Sequence, residues 1–350
     1  MHDKSDDQHA RLPRVSVVVP IRNEARFIER GLRAILEQDY PPGCMEVIVA
    51  DGMSTDGTRE VIQLLERTYQ NLRMIDNPGR IVSTGLNAAF AVATGEVFVR
   101  VDGHCQIPED YIRRCVELLI KSGADGVGGT VRTIGVSPIS RAIAATMSSP
   151  FGVGDSAFRL RRSCREYADT IPFPVYWKRA MERAGPFDEE LVRDQDDEYN
   201  YRLRRLGGKL LLAGEIESTY YSRVTLRSFW KQYFQYGYWK VRVLQKHPFQ
   251  MRLRQFVPPL FVLSLIVSLL LSPVSGYGMR GFLVLGLLYV VANLVASATV
   301  SSRAGSCPLL LLPVCFAVLH TAYGAGFLAG LLRFASRWGD RGVNGVRAAM

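Results

Sequence analysis

Residues 15–24 read Val-Ser-Val-Val-Val-Pro-Ile-Arg-Asn-Glu, "VSVVVPIRNE". The run Val15 to Pro20 is short, apolar and closed by proline. It reads as a strand buried on both faces, because such strands of a parallel sheet are continuous hydrophobic stretches rather than alternating ones. The pattern then repeats. "EARFIERGLRAILEQ" places Phe27, Ile28, Leu32, Ile35 and Leu36 at helical spacing. "MEVIVADG" (Met45 to Gly52) is a second strand, and "STDGTREVIQLLERTYQ" a second helix with Ser54 to Thr58 as its N-terminal cap region. "LRMIDNP", "IVSTGLNAAFAVATG" and "EVFVRVDG" continue as strand, helix and strand. The alternation predicts an α/β fold built of βαβ units around a parallel sheet.

Ligands of such sheets bind beyond the carboxyl ends of the strands. Those ends carry Pro20 to Glu24, Asp51, Asn77 to Arg80, and Asp102-Gly103-His104. No GxGxxG follows the first strand and no GxxxxGK[ST] occurs, which disfavours a dinucleotide fold and a P-loop. Asp51 fits a carboxylate that accepts hydrogen bonds from a base or ribose, and equally an acid capping the next helix. Asp102 and His104 fit either a polar turn or a metal site. A hard divalent ion bridging phosphates takes carboxylate oxygen, and an imidazole would make the site more tolerant of Mn²⁺. "RDQDDEYNYRLRRLGG" sets Asp194, Asp196, Asp197 and Glu198 at a helix start, where the dipole favours acids and a general base could also stand.

The 350 residues carry a net charge of +10. From Phe256 to Leu332 the only formal charges are Arg280 and Arg303, so a charged domain precedes a membrane segment. Arginines cluster at Arg159 to Arg165, Arg202 to Arg205, and Arg252 and Arg254. Beside membrane segments such charge points to an anionic leaflet or anionic substrates. No helix-turn-helix or zinc-finger pattern supports nucleic acid. The 6 cysteines form no CxxC pair and read as free thiols in a reducing compartment. The polar N-terminus has no apolar h-region of a signal peptide, which keeps the first domain cytosolic.

The divisions expected are a polar tail (1–13), a catalytic domain (14–225), an amphipathic interfacial helix region (226–255), a membrane segment of about three helices (256–332) and a basic tail (333–350). "RSFWKQYFQYGYWKVRVLQK" has the aromatic and basic content of an interfacial helix. Spans are expected near 256–273, 281–300 and 308–332, each near the ~20 residues a crossing needs. Three crossings carry the Arg-bearing tail away from the catalytic domain, against the positive-inside tendency. The last segment, with Pro308 and Pro313, is the suspect for re-entry. Asn293 and His320 within spans mark either function or helix packing.

VVPIRNE, VADGMSTDGT, NPGRIVSTGLNAA, VDGH and GPFDEELVRDQDDEYNYRLRRLG occur in that order over roughly residues 14 to 240. In this order they resemble the family 2 glycosyltransferases with the GT-A fold, and the "SSPFGVG", "VDGH" and "QYGYWK" stretches, with the membrane tail, look most like the membrane-bound exopolysaccharide enzymes of the succinoglycan type. The resemblance implies a nucleotide-sugar donor contacted by Pro20, Glu24, Asp51, Arg80 and Asp102. It implies Mg²⁺ or Mn²⁺ held by Asp102, with His104 in place of the usual last acid. Gly52 replaces a usual second acid, and Gln195 a usual Glu. Asp196 takes the position of the catalytic base. "QYGYW" (Gln235 to Trp239) resembles the QxxRW motif, with Gln235 and Trp239 on the acceptor side and Tyr238 where Arg is usual. Trp239 also reads as an interfacial anchor.

The implied protein is an inverting hexosyltransferase of the inner or plasma membrane. It is multi-pass, with the catalytic domain cytoplasmic. The donor put first is UDP-glucose, the acceptor a polyprenyl-linked sugar or glycan, and other polysaccharide-biosynthesis proteins are implied partners. Two other readings stand beside it: a processive synthase, or an inactive scaffold of an export assembly.

Overall fold

The computed structural model describes residues 12–103, 105–160, 164–304 and 308–340. Its first part is the expected alternation: β1 (Val15–Ile21), α1 (Ile28–Leu36), β2 (Met45–Asp51), α2 (Thr58–Glu66), β3 (Leu72–Asp76), α3 (Val82–Val92) and β4 (Val97–Arg100). Every residue of β1, β2 and β4 is buried, which is why they read as unbroken apolar runs. Alternate residues serve opposite faces. Val17, Val19, Val47 and Val49 pack with Ile28, Leu32 and Ile35 of α1. Val18 and Ile48 pack with Leu86 and Ala89 of α3. Leu32 is fully buried, and its truncation to alanine would cost about 2–5 kcal/mol.

β1 stays paired with β2 as far as Ile21 and Asp51, but its pairing with β4 ends at Val18 and Arg100. The Val18 carbonyl accepts the last ladder bond, from Val101 N (3.0 Å). Pro20, two residues on, points its donorless nitrogen to that same side. The proline therefore stands where the β1–β4 ladder ends, at the carboxyl-end edge where open α/β sheets place ligands.

Beyond β4 come β5 (Cys105–Gln106), α4 (Tyr111–Ser122), β6 (Gly126–Ile134), α5 (Pro138–Met147), α6 (Pro150–Val153) and β7 (Arg165–Tyr167). They are followed by β8 (Val175–Trp177), α7 (Lys178–Ala184), α8 (Gln195–Arg205) and β9 (Leu210–Tyr221). The sheet order is β3-β2-β1-β4-β8-β6-β9-β5, with β7 against β9. β8 is antiparallel to both β4 and β6. The sheet is therefore mixed, and the parallel arrangement expected from periodicity holds for β3-β2-β1-β4. A three-residue strand such as β8 carries too little pattern to be read.

Four long helices follow: α9 (Leu226–Lys246), α10 (Val257–Leu271), α11 (Gly276–Ala304) and α12 (Leu312–Arg333). Segments Leu253–Leu271, Gly276–Arg303 and Leu309–Arg333 are long and apolar enough to cross a membrane. Pro308 and Pro313 do not break the last one. They lie at its start, where a missing N–H is harmless, and α12 runs on unbroken to Arg333. Asn293 and His320 both serve helix packing. Asn293 Nδ2 donates to the Pro313 carbonyl (2.9 Å). His320 pairs through Nδ1 with the Tyr289 hydroxyl (3.0 Å) and through Nε2 with the Phe151 carbonyl (2.9 Å).

Candidate active site

The loops after β1 and β2 are stitched together. Asn23 N donates to Ser54 Oγ (2.8 Å), Thr55 N to Asn23 Oδ1 (2.9 Å) and Glu24 N to Thr58 Oγ1 (2.8 Å). Asn23 holds φ +55°, a backbone state its short polar side chain tolerates. The segment Ser54 to Thr58 is the N-terminal region of α2 as expected: Gly57 is the N-cap residue, Asp56 Oδ1 accepts from Thr58 N (3.1 Å), and Ser54 and Thr58 also bind the neighbouring loop. Gly52 has a local reason. A Cβ there would lie 3.1 Å from both the Ile21 carbonyl and Arg22 Cβ.

Asp51 ends β2 and is fully buried. Its Oδ2 accepts from Ser54 N (3.0 Å) and Arg59 Nη1 (2.6 Å), and Arg59 Nη2 continues to Asp76 Oδ1 (2.8 Å). Asp51 Oδ1 is buried with no hydrogen-bond partner. Such an atom is costly until an N–H or O–H donor fills it. Pro20 is buried in β1, Glu24 is half-buried at the loop, and Arg80 is exposed with φ +60°.

Asp102 lies just past β4, with its side chain 26% exposed. Buried Arg100 donates from Nη2 to Asp102 Oδ1 (2.8 Å), and its Nη1 pairs with Asp196 in the first turn of α8. One guanidinium thus brings together the two acids that the sequence singled out from distant segments. Burial raises the Asp196 pKa above the ordinary carboxylate value, with Arg100 opposing. Among the described residues no group of three or more His, Cys, Asp or Glu side chains forms a preassembled metal cage. Asp102 offers a partly open carboxylate, which fits one hard oxygen ligand of an ion sharing its other ligands with phosphates. His104 lies outside the described residues.

The first turn of α8 is also held from behind. Lys240 of α9 is buried and reaches Asp197 Oδ2 (2.6 Å) and Asp194 Oδ1 (3.3 Å). Asp194 adopts φ +61°. Burial pushes its carboxyl up to about 6, against the pull of Lys240. Glu198 and Arg202 form a buried pair one turn apart (2.9 Å), and His247 Nε2 meets Glu198 Oε1 (3.0 Å). Gln235 and Trp239 hydrogen-bond to each other (3.0 Å), and the Trp239 ring packs on Phe334. The residue of this stretch that reaches the acids is the next one, Lys240. Arg59, Arg100 and Lys240 were missed by sequence reasoning. The only signal was a cation inside an apolar strand, for Arg100, or beside an expected motif.

A sequence model of the family described as "Glycosyl transferase family 2" matches residues 16–176. The succinoglycan biosynthesis protein ExoA of Rhizobium meliloti is 30% identical over 339 residues, covering 92% of this chain and 96% of its own. The chain belongs to glycosyltransferase family 2. A second relative in Methanococcus voltae is a dolichyl N-acetyl-α-D-glucosaminyl phosphate 3-β-D-2,3-diacetamido-2,3-dideoxy-β-D-glucuronosyltransferase. It is 25% identical, with 91% of this chain and 97% of its own covered. The fold is similar to that of a Pyrobaculum calidifontis mannosyltransferase, PcManGT, solved with GDP-Man and Mn²⁺. It superposes with a TM-score of 0.56 at 20% identity over 92% of this chain and 86% of its own. The mixed, Rossmann-like sheet of this family 2 glycosyltransferase is a GT-A fold.

Proposed function

We propose that this glycosyltransferase moves one sugar from a nucleotide donor to a lipid-linked acceptor, with inversion, in exopolysaccharide or cell-surface glycan synthesis. The observation that carries the reading is the Arg100 bridge, which joins Asp102 to Asp196 at the carboxyl-end edge of the sheet, where Asp51 ends β2. Asp51, with Oδ1 open, takes an N–H or O–H donor of the nucleoside. Pro20 and Glu24 border the nucleotide, and Arg80 adds positive charge at the rim. A divalent cation, Mg²⁺ or Mn²⁺, would neutralise the leaving diphosphate. Asp102 would hold it, with His104 assigned as second ligand by sequence position. PcManGT was solved with Mn²⁺, which supports such an ion here.

Asp196 accepts the proton of the acceptor hydroxyl as that oxygen forms its bond to the anomeric carbon. The bond to the nucleotide breaks on the opposite face, so an α-linked donor yields a β-glycoside. Arg100 keeps the Asp196 carboxylate charged and aimed. Gln235 and Trp239 belong to the acceptor side. The donor we put first is UDP-glucose, and the acceptor a polyprenyl-linked sugar. The names of the two relatives, one in succinoglycan synthesis and one acting on a dolichyl phosphate sugar, support a lipid-linked glycan acceptor. The catalytic domain faces the cytoplasm, and the apolar helices anchor it as a multi-pass protein of the inner or plasma membrane.

The test is a screen of radiolabelled nucleotide sugars against membranes carrying the full chain, with mass analysis of the extracted lipid. One donor should label a lipid product, and Asp196→Asn should lower that transfer about 10²–10⁴-fold while donor binding persists. Label appearing only in water-soluble glycan would sink the lipid acceptor. Near-normal turnover by the variant would sink the base.

A further inference from the structure

The three apolar segments are not equivalent. Those containing α10 and α11 are 6% and 11% buried, whereas that of α12 is 44% buried. No residue of α12 from Cys315 to Gly330 is exposed. The reason is α9. Gly237 lies against the Tyr323 carbonyl, Gly326 against the Phe234 carbonyl and Gly330 against the Tyr238 carbonyl, each too close to admit a Cβ. The two helices therefore run backbone to backbone and in the same direction.

Both ends of α12 touch the catalytic domain. At its start, Leu312, Cys315 and Phe316 are buried with Ile143 and Met147 of α5, and Phe151 of α6 packs on Phe316 (5.0 Å). At its end, Gln245 Nε2 donates to the Phe334 carbonyl (2.8 Å). Just beyond, Arg337 Nη1 pairs with Glu190 Oε1 (2.5 Å), and fully buried Arg242 bridges Glu190 (2.8 Å) and Asp340 (3.3 Å). Glu190 belongs to the loop between α7 and α8. α12 is about 33 Å long, a full bilayer core. A helix that crossed would carry one end to the far side. α9 cannot accompany it, because Arg227 and Lys231 near its start and Lys240, Arg242 and Lys246 near its end would enter hydrocarbon.

α10 and α11 behave differently. The chain leaves the domain where Arg252 pairs with Asp169 (2.9 Å) and Arg254 with Asp155. It returns where Ala296 and Val300 pack on the cluster containing Ile143 and Met147. Between these points Leu260, Leu270, Leu283, Leu287 and Val291 are exposed. Leu253–Leu271 is about 28 Å long, enough for one crossing.

We infer that the chain crosses the membrane twice, as the α10–α11 hairpin, and that α12 is a surface helix clamped between the catalytic domain and the base of the hairpin, facing the headgroup region of the leaflet. The tail after α12 then lies on the same side as the catalytic domain. Arg333 and Arg337 stand on that side, which removes the conflict with the positive-inside tendency. This inference does not need the donor, the acceptor or the base to be as proposed.

Single cysteines in the full chain, in a background with all 6 native cysteines replaced by serine, test it. Lys121→Cys reports the domain, Val274→Cys the α10–α11 turn and Ala335→Cys the tail, with Trp338→Cys as a second tail probe. All four native side chains are exposed. Sealed membrane vesicles of one orientation are treated with an impermeant maleimide before and after detergent. The expected result is that Lys121→Cys and the tail probes share one accessibility and Val274→Cys has the opposite one. A tail that labels with Val274→Cys and opposite to Lys121→Cys establishes three crossings and overturns the inference. All sites labelling from one side overturns it too.

Discussion

Asp102 and Asp196, one just past β4 and the other in the first turn of α8, are held together by the single guanidinium of Arg100. Two such carboxylates would otherwise repel. Burial disfavours the charge on Arg100, yet the two acids outweigh it and keep the cation in place. The nitrogen Nε of Arg100 has no partner, so the side chain is committed entirely through its two terminal nitrogens.

Replacing Arg100 therefore damages stability and turnover together. Arg100→Met removes the buried cation of a cluster whose two acids are partly exposed, a loss of about 1–3 kcal/mol. Denaturant unfolding of the detergent-solubilised chain measures it. Arg100→Lys should restore part of the stability, but a point charge cannot span both acids, so transfer should stay low.

Asp51→Asn should weaken donor binding by about 10–100-fold, since a charged acceptor with one open oxygen is lost. Calorimetric titration with the nucleoside diphosphate reads this directly. kcat should change much less than the donor KM. The reverse split would place Asp51 in the chemistry instead of the binding.

Lys240 sits behind the acids rather than among the reacting groups. Lys240→Met leaves Asp194 and Asp197 without their buried cation, and Asp194 already holds a left-handed backbone. The first turn of α8 should loosen. We expect kcat to fall about 10-fold or more while donor affinity holds, with partial rescue by Lys240→Arg. An equal loss in donor affinity would mean that the whole site had collapsed.

Glu190 gives a pH signature. Burial pushes its pKa up, but hydrogen bonds from Arg242 and Lys246 win and lower it from 4.5 to about 2. A carboxylate depressed in the folded state contributes stability that is complete above its unfolded pKa. That contribution fades as pH falls from about 4.5 toward 2. The stability gap between the wild type and Glu190→Gln should therefore be widest near neutrality and close across that acid window. Melting temperatures at pH 7, 4 and 3 follow it. A gap constant with pH would show that Glu190 is not held by its cations.

Strands β1, β2 and β4 were legible because full burial writes itself as unbroken apolar runs, and the partly buried β3 from its place in the alternation. Asp51 and Asp102 were legible because strand ends are marked by Gly and by a change to polar residues. Asp196 was singled out only by the family resemblance, and its contact with Arg100 sets it apart from Asp197, which faces Lys240. Arg59, Arg100 and Lys240 were not legible. A cation's meaning depends on which acids the fold brings to it, and these acids come from other segments. α12 was found at the expected place as a segment long and apolar enough to cross, but composition does not say how much of it is covered by other helices of the same chain.

The glycine seam between α9 and α12 has a practical side. α9 carries the lysine behind the acids, yet its other face is completed by the last helix of the chain. Cutting after α9 would bare Phe229, Tyr233 and Val241 and strip Arg242 of Asp340. A fragment that ends after α9 would therefore expose part of its own core and lose the contacts that α12 and Asp340 supply.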